Sequence, residues 1–125
     1  MHPLLPVMAG GATGAALRYL TGTLMLRWLG PGYPWGTLTV NIIGGFAMGL
    51  LAGMLARFGQ GGETWRLLLG VGVLGGFTTF SAFSLETYLM LERGETMGAF
   101  GYIVVSVLGA VGALGLGLMT LRVLA

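Results

Sequence analysis

Four long apolar runs alternate with three short polar or turn-rich links along the chain. The runs cover about residues 4 to 28, 35 to 57, 65 to 91 and 98 to 122, and each reaches the ~20 residues that a helix needs to cross a bilayer. The links read LGPGYP, FGQGGET and ERGETM and leave no room for a domain outside the membrane. The pattern predicts an all-α membrane protein in which residues 1 to 125 form a single four-span domain.

The third run differs from the others in length and composition. As one straight helix it would extend about 40 Å, against a hydrocarbon core of about 30 Å. It contains GGFTTFSAFSLE, from Gly75 to Glu86, where glycine and β-branched threonine weaken a helix. We predict a break at Gly75 and Gly76, just before a pair of threonines, although tilt of an unbroken helix would also absorb the length. Irregular backbone at membrane depth is tolerated only where it is buried or lines a cavity. We therefore predict that this stretch forms the functional site of the protein.

The composition agrees with a membrane protein and excludes several classes of function. Hydrophobic residues make up 55% of the chain and charged residues 8%, whereas soluble domains average about 25% charged residues. There is no cysteine, and the single histidine, His2, lies near the N-terminus. The four glutamates form no metal-ligand pattern, so we expect neither a catalytic metal nor enzymatic activity. The six arginines are scattered, which argues against a nucleic-acid partner.

The arginines give almost no preference for one orientation in the membrane. Three of them, Arg57, Arg66 and Arg122, lie at one end of the predicted bundle, and two, Arg27 and Arg93, lie at the other. The positive-inside rule therefore does not choose a topology. A chain that inserts both ways round can form an antiparallel dimer; alternatively, a partner or the first helix fixes the orientation.

Two polar side chains stand at membrane depth in the first two runs. Arg18 shares a helix face with glycines and should face protein or water, or else snorkel or form a buried ion pair. Asn41 lies on one line with Thr37 and with glycines that predict close helix packing. Its amide either joins two helices or faces a bound or permeating species.

The last two runs add aromatic rings and hydroxyl groups. Phe80 and Phe83 follow Phe77 at three-residue spacing, among serines. They pack or face lipid, or their electron-poor edges offer an anion weak positive potential. Tyr102 and Ser106 share one face of the fourth run, although Tyr102 also suits an interfacial aromatic belt. Hydrogen-bond donors predominate at this depth, which favours an anion.

Three segments in order give the chain a specific resemblance to the Fluc (CrcB-type) fluoride channels over essentially its whole length. These segments are GGATGAALRY at 10 to 19, GTLTVNIIGGFAMG at 36 to 49 and GGFTTFSAFSLE at 75 to 86, followed by a fourth run with Tyr102 and Ser106.

The resemblance implies a dual-topology antiparallel homodimer in the plasma or inner membrane, with two passive fluoride pores built from both subunits. The fluoride-binding and pore residues that it implies are Phe80, Phe83, Asn41, Ser81, Thr37, Tyr102, Ser106 and Arg18. It also implies a structural sodium ion on the two-fold axis, held by the backbone carbonyls of Gly75 and Thr78.

One departure and one residue without a role accompany this resemblance. Ala110 stands where many members continue the line of hydroxyls, which puts the inner end of that line in doubt. Glu86 would repel an anion unless it is protonated, paired or turned aside.

Two rival functions remain at the level of sequence. A proton-coupled small multidrug exporter would need a membrane carboxylate, for which Glu86 is the only substitute at depth. A structural membrane subunit without transport activity would use the glycines for packing alone.

Overall fold

The computed structural model describes residues 2–59 and 62–124, which are helical over most of their length. The helices are α1, Leu4–Leu29; α2, Trp35–Arg57; α3, made of Gly62–Trp65, Arg66–Leu74 and Gly75–Phe77; α4, Phe80–Glu92; and α5, Thr96–Val123. Their bounds follow the predicted runs within a few residues. The predicted second link includes residues 60 and 61, which lie outside the described ranges.

Glycines in the first and third links end α1 and α4, as the turn-rich sequence predicts. Gly30 closes α1 with φ of 79°, and its amide donates to the Leu26 carbonyl at 2.9 Å. Gly94 has φ of 81° in the turn between α4 and α5. Only glycine adopts these angles without strain, so each turn depends on its glycine.

Within residues 2–59 and 62–124, three helical stretches are long and apolar enough to cross a membrane: Trp35–Arg57, Gly62–Glu92 and Thr96–Val123. The second of these contains α3 and α4 and is bent where they meet. α1 has 26 residues but is not among the three. The chain is therefore a multi-pass helical membrane protein, and its fourth span stays a prediction.

Glycines bring α2 and α5 together along most of their length. A Cβ atom at Gly45 would lie 2.7 Å from the carbonyl oxygen of Ala110, and one at Gly49 would collide with that of Leu114. Further along, Gly53 faces Leu121. The contacts advance in the same direction on both helices, so α2 and α5 run parallel. The predicted packing role of this glycine stripe is confirmed.

α1 and α3 form a second parallel pair, and here the backbone departs from the α-helix. Arg66–Leu74 is a π-helix, a wide and rare helical form that is frequently found at functional sites. Its Gly72 is buried against Gly10 of α1, while Gly14 faces Val73 one turn later. The sequence did not predict the π-helix, because apolar periodicity cannot distinguish a π-helix from an α-helix.

A small apolar core lies between α2, α4 and α5. It contains Leu38, Met90, Ala99 and Tyr102, with Phe83 packed against it. Most other large apolar side chains are exposed in the single chain. Lipid or a second protein surface would cover these exposed side chains.

Candidate functional site

The break in the third span is held by Asn41, which lies in the second turn of α2. The Asn41 Nδ2 donates to the carbonyl oxygen of Thr79 at 3.0 Å, and the Thr79 amide donates to the Asn41 Oδ1 at 2.8 Å. Thr78 and Thr79 are extended between α3 and α4. The predicted break is thus confirmed, but it follows Gly75 and Gly76, which remain helical, because the Asn41 amide substitutes for the helical bonds of Thr79.

Thr79 also starts α4. Its Oγ1 accepts a hydrogen bond from the Ala82 amide at 3.1 Å, the usual bond of an N-cap threonine. In a continuous helix, the amides of Thr79 and Ala82 would donate to the carbonyls of Gly75 and Thr78. Both amides are used elsewhere, so these two carbonyl oxygens lose their helical donors.

Arg18 reaches the same break from α1. Its Nε donates to the carbonyl oxygen of Gly76 at 3.1 Å. Arg18 also lines a groove of about 460 Å³ together with Thr37 and Thr79. It therefore faces protein and a groove, as predicted for an arginine at membrane depth.

Phe80 and Phe83 lie at the start of α4, directly after the break. Their ring centroids are 5.6 Å apart, and both rings line a groove of about 390 Å³ with Asn41 and Ser106. Phe80 is 79% exposed in the single chain. The structure thus brings together the two rings and the amide that the sequence predicted to be neighbours.

Ser106 and Ala110 continue this groove along α5. The Ser106 Oγ is buried and has no hydrogen-bond partner within the described residues. A buried hydroxyl without a partner is costly, which makes Ser106 a polar group of interest in the wall of this groove. Ala110 lies further along the same wall, where it offers no hydroxyl.

Glu86 collects two of the predicted hydroxyl donors. Thr37 Oγ1 donates to Glu86 Oε2 at 3.0 Å, and the Tyr102 hydroxyl donates to Oε1 at 2.9 Å. Of the three possibilities for this carboxylate, protonated, paired or turned aside, the geometry therefore favours hydrogen-bonded pairing.

Ser81 Oγ is 3.3 Å from Thr79 Oγ1, where either hydroxyl can donate.

Tyr33 and Thr79 are site residues that the sequence reasoning missed. The Tyr33 ring meets the Tyr102 ring edge-on, with centroids 5.6 Å apart, and Tyr102 in turn packs on Phe83 at 5.1 Å. Burial raises the pKa of the Tyr33 phenol above its usual value. An aromatic residue in a link next to a membrane span suits an interfacial belt, and the local sequence around Tyr33 carries no signal for its contact with Tyr102.

Comparison with known proteins gives a family match over most of the chain. The sequence model described as "CrcB-like protein, Camphor Resistance (CrcB)" matches residues 5–118. The chain belongs to the CrcB family. The matched range runs from the first turn of α1 into α5 and leaves only the ends of the chain outside.

Individual relatives cover nearly the whole chain. A protein named "Fluoride-specific ion channel FluC" from Phenylobacterium zucineum is 63% identical over 123 residues, covering 98% of this chain and 97% of that protein. Proteins of the same name from Sphingopyxis alaskensis and Caulobacter vibrioides are 58% and 56% identical, each across 98% of this chain and 97% of the relative. These CrcB relatives have nearly the length of this chain.

Proposed function

We propose that this protein is a passive, fluoride-selective channel that exports fluoride and thereby protects the cell from it. The observation that carries the proposal is the junction of Asn41, Phe80 and Phe83 at the break between α3 and α4. Relatives of the same length, at 56% to 63% identity, are named fluoride-specific ion channels. An ion channel of this kind performs no chemistry on its substrate, in keeping with the expectation that the protein is not an enzyme.

The chemistry of the groove suits a small, strongly hydrated anion. A pore must replace the water around the ion with donors, yet hold it weakly enough to release it. Ring edges from Phe80 and Phe83 provide weak positive potential. The Ser106 hydroxyl, which has no hydrogen-bond partner among the described residues, provides a donor. Arg18 gives the neighbouring groove a positive charge without standing among the rings.

Glu86 enters this pathway as a hydrogen-bond acceptor. The Thr37 and Tyr102 hydroxyls donate hydrogen bonds to its two oxygens, and these bonds reduce the repulsion of a passing anion. The same arrangement disfavours a proton-coupled multidrug exporter, since such a transporter needs a carboxylate that is free to exchange a proton with a bound drug.

The functional unit in this proposal is an antiparallel homodimer of four-span subunits. Phe80 is 79% exposed, and the groove beside it is open on one side, so a second copy is needed to enclose a narrow pathway. The balanced arginines permit insertion in both orientations. α1 supplies the fourth span, and the location is a cell membrane, either plasma or inner.

A structural sodium ion fits the break. Gly75 and Thr78 lose the helical donors of their carbonyls, and backbone oxygens freed in a membrane need a positive partner. Two subunits would supply four such oxygens around one cation, which would join the subunits. We expect the dimer to melt at a lower temperature when sodium is replaced by N-methylglucamine; an unchanged melting temperature in sodium-free buffer would contradict this site.

Efflux from liposomes tests the proposed function. Purified protein is reconstituted into vesicles loaded with potassium fluoride or potassium chloride, with no pH gradient, and release is followed with ion-selective electrodes after valinomycin is added. We expect rapid fluoride release and chloride release close to that of empty vesicles. Release only with a proton gradient would favour the exporter, and no release of either ion would favour a structural subunit.

A further inference from the structure

A groove separate from the Phe80 region lies between the last turns of α2 and α5. It has a volume of about 310 Å³ and is lined by Gly53, Ala56, Arg57, Leu118, Leu121 and Arg122. The two helices run parallel, so both arginines stand at the same end of the bundle. Leucine and alanine side chains form the rest of the wall.

The ends of these helices project to the level of lipid head groups. α2 has 23 residues and α5 has 28, which correspond to lengths of about 35 and 42 Å at 1.5 Å per residue. The hydrocarbon core is only about 30 Å thick. Arg57 is the last residue of α2, and Arg122 is the residue before the last of α5.

The charged residues among the described lining of the groove are both arginines. None of the described residues that line it is acidic, and both arginines are exposed. The Arg57 guanidinium lies 5.8 Å from the centroid of the Phe58 ring, which holds it near the helix end. A guanidinium matches the oxygens of a phosphate with two parallel hydrogen bonds.

Arginines at the C-terminal end of a helix also interact with its last carbonyls. That effect explains the presence of each arginine but not an apolar groove between them. Basic pockets between membrane helices bind anionic lipid head groups. We propose that this groove binds an anionic phospholipid, with the phosphate between Arg57 and Arg122 and an acyl chain along Leu118 and Leu121.

Thermal melting of the full-length protein in neutral detergent tests the site without any fluoride measurement, so its outcome is independent of the proposed channel activity. Dioleoyl phosphatidylglycerol should raise the Tm, followed by tryptophan fluorescence, by about 3 °C at saturating lipid. Dioleoyl phosphatidylcholine should produce a much smaller shift. Equal shifts with the two lipids would overturn the proposal.

Variants locate the effect. The Arg57→Gln/Arg122→Gln double variant should lose the phosphatidylglycerol shift, whereas Arg27→Gln/Arg93→Gln, which removes two charges from the opposite end, should keep it. Retention of the shift in the first variant, or its loss in both, would overturn the assignment. The double variant risks poor folding, so Arg122→Gln alone, in an exposed last turn, gives a second test. It should at least halve the amount of phosphatidylglycerol that the protein retains in native mass spectrometry. Unchanged retention would contradict the site.

Inorganic phosphate at the same concentration distinguishes a lipid from a free anion. Phosphate alone should leave the Tm unchanged, because the acyl chain contributes part of the contact in the groove. A phosphate shift equal to that of the lipid would assign the groove to small anions and overturn the lipid proposal.

Discussion

Asn41 and Glu86 show how single polar residues are accommodated among apolar helices. The Asn41 side chain makes two hydrogen bonds to one residue, Thr79, and Glu86 accepts from Thr37 and Tyr102. Each polar group therefore has partners from another helix, which removes most of the cost of burying it. The same bonds fix the positions of the groups that surround the groove.

Removal of the Tyr102 hydroxyl tests the pairing of Glu86. Tyr102→Phe leaves the carboxylate with Thr37 as its donor in this cluster and leaves a fully buried ring in place. We expect a loss of about 1 kcal/mol in stability and about a tenfold decrease in fluoride efflux, equivalent to 1.4 kcal/mol. Tyr88→Phe, at a residue that is 62% exposed, is the control and should behave like wild type. Equal behaviour of the two variants in melting and efflux would contradict the role of the Glu86 pair.

The sequence could predict which residues belong to the site but not every bond they make. Asn41, Phe80 and Phe83 were expected near one another, and they line one groove. The partner of the Asn41 amide could not be predicted, since it depends on where the backbone of another helix opens. Glu86 was the only carboxylate expected at depth, and that fact could have suggested Thr37 and Tyr102 as its donors.

At the scale of helices, the third span owes its shape to competition for backbone hydrogen bonds. Asn41 takes the amide and the carbonyl of Thr79, and the Thr79 side chain takes the amide of Ala82. α3 therefore ends at Phe77 and α4 starts at Phe80. Weak helix propensity indicated a break within a few residues, but its position is set by the tertiary bond to α2, which propensity does not contain.

Two neighbouring glycines of α5 test the close packing against α2. A Cβ at Gly117 would collide with the Phe46 carbonyl oxygen and lie 2.8 Å from the Leu50 amide, whereas a Cβ at Gly115 meets nothing within 4 Å. Gly117→Ala should lower stability by about 1 to 3 kcal/mol, and Gly115→Ala should not lower it, since alanine favours a helix. Melting curves in detergent compare the two. Similar destabilisation by both would contradict this helix pairing.

The whole molecule has features of an incomplete unit. Phe80 is 79% exposed although it adjoins the polar residues of the break, and the arginines at the two ends are nearly balanced. Two of those arginines are paired with nearby glutamates, Arg66 with Glu63 at 2.7 Å and Arg93 with Glu95 at 2.5 Å. A second copy in the opposite orientation would cover the rings. The two subunits of such a dimer would present opposite ends to the same side of the membrane.

The absence of cysteine from the sequence permits a direct test of dual topology. Gly32 is exposed in the link after α1, and a Cβ there meets nothing within 4 Å. In intact cells, an impermeant maleimide should label about half of the Gly32→Cys protein, and the remainder should react only after permeabilisation, if the chain inserts both ways. Labelling of all or none of the protein in intact cells would indicate a single orientation.

Fluoride efflux from vesicles containing Phe80→Leu, compared with Phe100→Leu, tests whether the rings beside the break form the pathway. Phe80 is 79% and Phe100 is 64% exposed in the single chain, so neither change should disturb subunit folding. We expect Phe80→Leu to reduce fluoride efflux by at least about tenfold, because leucine lacks the positive ring edge. The Phe80→Leu protein should elute from size-exclusion chromatography as the same dimer as wild type. Phe100→Leu should conduct like wild type. Wild-type fluoride efflux through Phe80→Leu would contradict a pathway built on these rings.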